Sequence, residues 1–277
     1  MGVIKTINEA VRERMNECSG ILSKQFMKSV RPIYGSTDHG KPDHIGSCVL
    51  LEISKKKYLV TAAHVTDHNE NTTLYVSGEN GLVQIEAECI RTRAVDGSRD
   101  KDKFDFAILL LPDHIVNKLG NVKFLDETNI LTSDTAKNGE LYLALGFPTS
   151  QNKKVHSNEN KVTQNPFVYS STLKTQSSIF KDIQANPETH YLLDFCSKHS
   201  KDENNTVVNP FSPIGASGGG LFLIEGMNNL ENYRSSSDCS GKLVGILIER
   251  HQKQKVIMAT KLSVVLNALT LASARTA

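Results

Sequence analysis

Three side chains of this 277-residue chain are of the types needed for nucleophilic acyl transfer. Ser217 sits in Gly215-Ala216-Ser217-Gly218-Gly219-Gly220, just ahead of the apolar run Leu221-Phe222-Leu223-Ile224. His64 ends the run Leu59-Val60-Thr61-Ala62-Ala63, and Asp105 opens the run Phe106-Ala107-Ile108-Leu109-Leu110. A serine hydroxyl is a weak nucleophile until a base removes its proton. Histidine titrates near neutrality, so it can accept that proton and later pass it to a leaving group. A buried aspartate fixes the imidazole tautomer and stabilises the imidazolium. Glycines let backbone amides approach a ligand closely, so the amides of Gly215 and Ser217 can face a developing oxyanion. Each feature alone has a plainer explanation: a tight turn, a hydrogen-bonded structural histidine, a turn aspartate. Together they are harder to explain that way.

The elements that would position these groups are short and mostly extended. Ile45 to Ile53 and Tyr58 to Ala63 read as a hairpin across the polar turn Ser54-Lys55-Lys56-Lys57. Further β segments are expected at 73–76, 82–91, 104–111, 141–145, 167–173, 191–195, 219–224, 243–248 and 256–260. Before them, Ile4, Ile7, Val11, Met15, Ile21, Leu22 and Phe26 recur mostly at helical spacing. Residues 1–30 therefore read as an amphipathic helix, interrupted near Ser19-Gly20, that packs on its own domain or docks a regulatory partner. Residues 31–43, with Pro, Gly, Ser and Asp, read as a linker. An apolar-faced helix closes the chain at about 262–274. Stretches 93–103, 149–165 and 197–209 are polar and read as solvated loops, the other places where a partner could act.

Composition narrows the function classes. A formal charge of +2 gives no reason to expect a nucleic acid or an anionic membrane as partner. No apolar run reaches the ~18 residues of a membrane-spanning helix. The N-terminus lacks the pattern of a secretory signal, so a cytoplasmic location is expected. Five cysteines are an odd number with no close pair and no C-x-x-C. Neither a zinc site nor a disulfide framework is expected, and reduced buried thiols are. No metal or organic cofactor is called for by the chemistry above.

Thr61-Ala62-Ala63-His64, Asp105-Phe106-Ala107-Ile108-Leu109 and Gly215-Ala216-Ser217-Gly218-Gly219 together resemble the signature segments of chymotrypsin-fold (trypsin-like) serine proteases, in that superfamily's order. Ala144-Leu145-Gly146-Phe147-Pro148 is similar to a segment of the intracellular bacterial HtrA-type branch. The resemblance implies an all-β, mainly antiparallel fold of two six-stranded barrels, at about 44–120 and 121–262 of a protease domain spanning 44–277. It implies a serine endopeptidase acting on protein or peptide, with His64, Asp105 and Ser217 catalytic and the Gly215 and Ser217 amides forming the oxyanion hole. A protease-fold binding module without turnover is the alternative.

Gly215-x-Ser217-x-Gly219 also fits the nucleophile elbow of α/β-hydrolases, but that fold orders its triad Ser, acid, His and alternates strands with helices. Two departures from secreted trypsins stand out. Ala216 replaces an aspartate that pairs with a new N-terminus, and Val65 replaces a cysteine. Both fit an intracellular enzyme with a narrow or regulated range. By the same resemblance the substrate pocket draws on Phe211, Pro213, Ile214, Ile248 and Met258, which favours a small or apolar P1 residue. Glu249 and Arg250 would touch the substrate backbone strand or side chains beyond P1.

Overall fold

The computed structural model describes residues 6–37, 41–133, 140–152, 155–156, 161–162, 165–195, 213–227 and 239–276. The chain begins with α1 (Ile7–Phe26), whose start is fixed by a capping box. Thr6 Oγ1 accepts from the Glu9 amide, and the Thr6 amide donates to Glu9 Oε2. Each bond satisfies a donor that the first turn would leave orphaned. Gly20 does not interrupt this helix. A mid-helix glycine costs about 1 kcal/mol, which is outweighed by burial of Cys18, Leu22 and Phe26 on one face. Phe26 stacks on Phe222 with ring centroids 4.2 Å apart. The apolar face of α1 is thus spent within its own domain.

The first sheet holds β1 (Val30–Ser36), β2 (Pro42–Ile53), β3 (Lys56–Thr61), β4 (Tyr75–Ser77), β5 (Leu82–Gln84), β6 (Glu88–Arg91) and β7 (Ala107–Leu110). Its order is β5-β4-β1-β2-β3-β7-β6, and every paired neighbour is antiparallel. Short helices α2 (Ala63–Asp67) and α3 (Asp113–Leu119) follow β3 and β7. The expected linker is corrected here: residues 30–36 form β1, so the sheet has seven strands, not six. Turn-forming Pro32, Gly35 and Ser36 disguised it, while Val30, Ile33 and Tyr34 are buried and draw the segment into the sheet.

The second half contains β8 (Leu141–Gly146), α4 (Thr149–Asn152), β9 (Val155–His156), β10 (Lys161–Val162), β11 (Phe167–Ser171), α5 (Ser177–Asp182), β12 (His190–Asp194), β13 (Gly220–Ile224), β14 (Gly241–His251), β15 (Val256–Lys261) and α6 (Leu262–Thr276). Six of these strands form an antiparallel sheet ordered β11-β8-β13-β14-β15-β12, while β9 and β10 pair separately. The architecture is therefore two curled antiparallel sheets with helices at both ends, the double-barrel arrangement expected. Two apolar clusters draw on both sheets. One joins Val49, Leu51 and Val60 to Leu143, Phe222 and Phe26; the other joins Leu50, Leu59 and Ala62 to Leu192, Ile248 and Met258.

The reduced-cysteine expectation is overturned at one pair. Cys18 of α1 and Cys239, just before β14, form a disulfide across a sequence separation of 221. Their spacing gives no hint of it, because packing of α1 on the second sheet creates the proximity. Cys48 and Cys89 are free thiols. Loop-closure entropy over so long a separation makes the bridge worth up to about 5 kcal/mol. Replacing Cys18 by Ser should lower the unfolding free energy read from denaturant curves by an amount of that order, moving the midpoint down, and a reductant should do the same to the wild type. Equal midpoints with and without reductant would show that the bridge adds no stability.

Candidate active site

The His64–Asp105 geometry follows from strand register. Thr61 of β3 pairs with Ala107 of β7, antiparallel, so the residues just after Thr61 lie beside those just before Ala107. His64 sits in the first turn of α2, and not at the end of a strand as its sequence reads. Its Nδ1 lies 2.6 Å from Asp105 Oδ2, and its amide donates to Asp105 Oδ1 at 2.9 Å. The Ala63 amide donates to the Asp105 carbonyl. Both carboxylate oxygens are thus used to hold the histidine, and Nε2 is left for other work.

Asp105 has φ +41°, a left-handed conformation that asparagine and aspartate tolerate better than most residues. The segment expected to be a solvated loop stabilises it. Asp102 Oδ1 accepts from the amides of Phe104 and Asp105, and Asp102 Oδ2 accepts from Arg99 and Thr92. Arg99 in turn donates from Nε and Nη2 to the two oxygens of Asp67, at the end of α2. This bidentate pair ties the loop to the helix that carries His64. The sequence shows the charges but not their partners.

The Ser217 turn is fastened to both sheets through Ser47 of β2. The Ser47 amide donates to the Ser217 carbonyl at 2.8 Å, and the Ser47 hydroxyl donates to the Gly215 carbonyl at 3.0 Å. The same hydroxyl accepts from the Phe147 amide at 2.8 Å, and the Ser47 carbonyl accepts from Thr61 Oγ1 at 2.6 Å. Gly218, at φ +86°, is packed against this junction: a Cβ there would lie 2.0 Å from the Ser47 carbonyl oxygen. That contact, and not only amide access, demands glycine.

Gly215, at φ +93°, is hemmed in by Thr149, whose Oγ1 would be 2.3 Å from an added Cβ. The Thr149 amide donates to the Ile214 carbonyl at 2.8 Å. A trans peptide directs its N–H opposite its C=O, so this bond turns the Gly215 amide away from Thr149. Among the described residues, no acceptor is bonded to the Gly215 or Ser217 amide. Beneath the turn, His44 Nδ1 lies 3.2 Å from Thr149 Oγ1. Burial pushes the His44 imidazole down to about 4, so it adds no positive charge at neutral pH.

Ser217, His64 and Asp105 line one cleft of about 640 Å³. Pro213, Ile214, Gly215, Ile248, Glu249 and Arg250 line it too. Phe211 lies outside the described residues. Met258 is a correction: it is buried in the apolar core, and its neighbour Ile257 reaches the cleft instead, because successive strand residues face opposite ways. The Ser217 hydroxyl donates to the Ile248 carbonyl at 3.0 Å. A register shift in β14 between Leu247 and Glu249 leaves Ile248 out of the ladder with β15. The His251 imidazole, 3.3 Å away, holds the Glu249 carboxyl below its ordinary range. Among the described residues, no group of His, Cys, Asp or Glu is arranged to hold a metal ion, and no helix is long and apolar enough to cross a membrane.

The sequence matches no protein-family model and no curated protein. Solved structures overlap the fold at low identity. One is a thermostable serine protease, AL20, from an extremophilic microorganism, at 14% identity and TM-score 0.47 over 84% of this chain and 90% of its own. Another comes from work on aromatic interactions in the coupled folding and binding of the Sesbania mosaic virus VPg protein, at 16% identity and TM-score 0.47 over 87% and 95%. A third is the tobacco vein mottling virus protease, at 12% identity and TM-score 0.45 over 94% and 82%. Overlap at this level carries no argument about chemistry, which rests on the residues themselves.

The junction makes a definite prediction. Ser47→Ala leaves the buried Phe147 amide and Gly215 carbonyl without their partner, at a cost of about 2–4 kcal/mol. Urea unfolding should register that loss. A change below about 0.5 kcal/mol, the range of ordinary surface substitutions, would show that the turn is held by other contacts.

Proposed function

We propose that the chain is a serine endopeptidase, with Ser217 as nucleophile, His64 as general acid and base, and Asp105 as the orienting carboxylate. The observation that carries this reading is the His64–Asp105 pair facing the same cleft as Ser217, with the Gly215 and Ser217 amides unclaimed among the described residues. Peptide binding displaces the Ser217 hydroxyl from the Ile248 carbonyl and turns it toward His64. Oγ then bonds to the substrate carbonyl carbon while its proton passes to His64 Nε2. The carbonyl oxygen becomes an oxyanion held by the Gly215 and Ser217 amides. The C–N bond breaks as Nε2 gives its proton to the departing amine. Water repeats the sequence on the acyl-enzyme: its proton goes to Nε2, its oxygen to the carbonyl carbon, and Nε2 returns the proton to Oγ. Asp105 carries the charge balance of the transient imidazolium throughout.

One observation favours a second reading. The Ser217 hydroxyl donates to Ile248 and not to His64. A serine held there permanently would make the cleft a peptide-binding module without turnover. The cytoplasmic setting expected for the enzyme sits against the Cys18–Cys239 bridge, since disulfides persist where thiols are not kept reduced.

A fluorophosphonate probe separates the two readings, because only an activated serine reacts quickly. Wild-type protein should label and cleave peptides. Ser217→Ala should lose both, and Asp105→Asn should lower turnover by roughly 10⁴-fold. Wild type and Ser217→Ala equally unlabelled, in folded protein, would leave the binding module standing.

A further inference from the structure

Arg250 lines the cleft. Among the described residues it has no ion pair and no hydrogen bond, and its Nε is buried without a partner. Arg99, in the same cleft, is fully occupied by Asp67 and Asp102. Alternation along β14 places Glu249 and His251 on one face, 3.3 Å apart, and Arg250 on the other. There the Arg250 guanidinium carbon lies 5.0 Å from the centroid of the Phe195 ring. The aromatic face supports the cation but supplies no acceptor. A guanidinium held this way, with no acceptor among the described residues, is matched by the planar, bidentate acceptor that a carboxylate offers.

Its position says which carboxylate. Arg250 is two residues beyond Ile248, whose carbonyl holds the Ser217 hydroxyl, and so about 6–7 Å further along the strand. Its cross-strand partner Ile257 also lines the cleft, with Pro213 and Ile214. An acyl group on Ser217, with its oxygen at the Gly215 and Ser217 amides, would place its side chain between these segments. Apolar surface receives the methylenes, and Arg250 receives the end. We infer that Arg250 selects an acidic side chain, glutamate or aspartate, at P1 on the acyl side of the scissile bond; this rests on the Ser217 reading. The apolar preference expected from sequence gave Arg250 no role in the pocket.

Peptides identical except for Glu, Asp, Gln, Leu or Lys at P1 test this. Wild type should favour Glu over its neutral isostere Gln by on the order of 100-fold in kcat/KM, as a buried charge pair allows. Arg250→Gln should erase that preference and Arg250→Lys should retain part of it, with fluorophosphonate labelling showing that each variant keeps a folded nucleophile. Cleavage after Gln or Leu at least equal to that after Glu, or an acidic preference that survives in Arg250→Gln, would overturn the assignment. If wild-type Ser217 takes no label, the failure lies in the catalytic reading. Binding to Ser217→Ala then decides the assignment by itself, comparing P1 Glu and Gln peptides with and without Arg250→Gln: a Glu advantage that needs Arg250 supports it, and no advantage ends it.

Discussion

Everything in the cleft depends on the hydrogen bonds made by Ser47. This buried residue of β2 uses its amide, its carbonyl and its hydroxyl at once, on Ser217, Thr61, Gly215 and Phe147. Two of those partners belong to the turn that carries Ser217, one to the strand that leads to His64, and one lies just past the end of β8. The sheets pack through apolar clusters, which are tolerant of small shifts. Hydrogen bonds are directional, and burial makes each one costly to leave unmade. Apolar packing brings the two halves together, and Ser47 sets their register to within a bond length.

The same division explains what could be read from the sequence. His64, Asp105 and Ser217 were legible because each stands out against its immediate neighbours: a histidine after an apolar strand, a carboxylate before one, a serine among glycines. Strand β1 was hidden because Pro32, Gly35 and Ser36 are turn formers by local preference, and only tertiary burial of Ile33 and Tyr34 makes them strand. The Asp67–Arg99–Asp102 network was hidden for a different reason. Its members are ordinary surface residue types, and what distinguishes them is pairing across 32 positions. Ser47 had no local signal, since a serine in a strand is unremarkable until its partners are known.

The polar groups of the cleft are divided by what already satisfies them. Arg99 and Asp102 are committed to the loop that supports Asp105, and Glu249 lies 3.3 Å from His251. His44 is neutral by burial and serves as packing under the Gly215 turn. Arg250 and the Gly215 and Ser217 amides are not committed among the described residues, and all of these are donors. Each of these donors can meet an oxygen acceptor, which is what the proposed oxyanion and the proposed acidic side chain supply.

The Cys18–Cys239 bridge closes most of the chain, the whole first sheet and four of the six strands of the second, into a covalent ring. A single backbone cut anywhere between those two residues opens the ring without releasing a fragment. A molecule proposed to cleave peptides can therefore be nicked once, by a neighbouring copy or by another protease, and still travel as one body until the sulfurs are reduced.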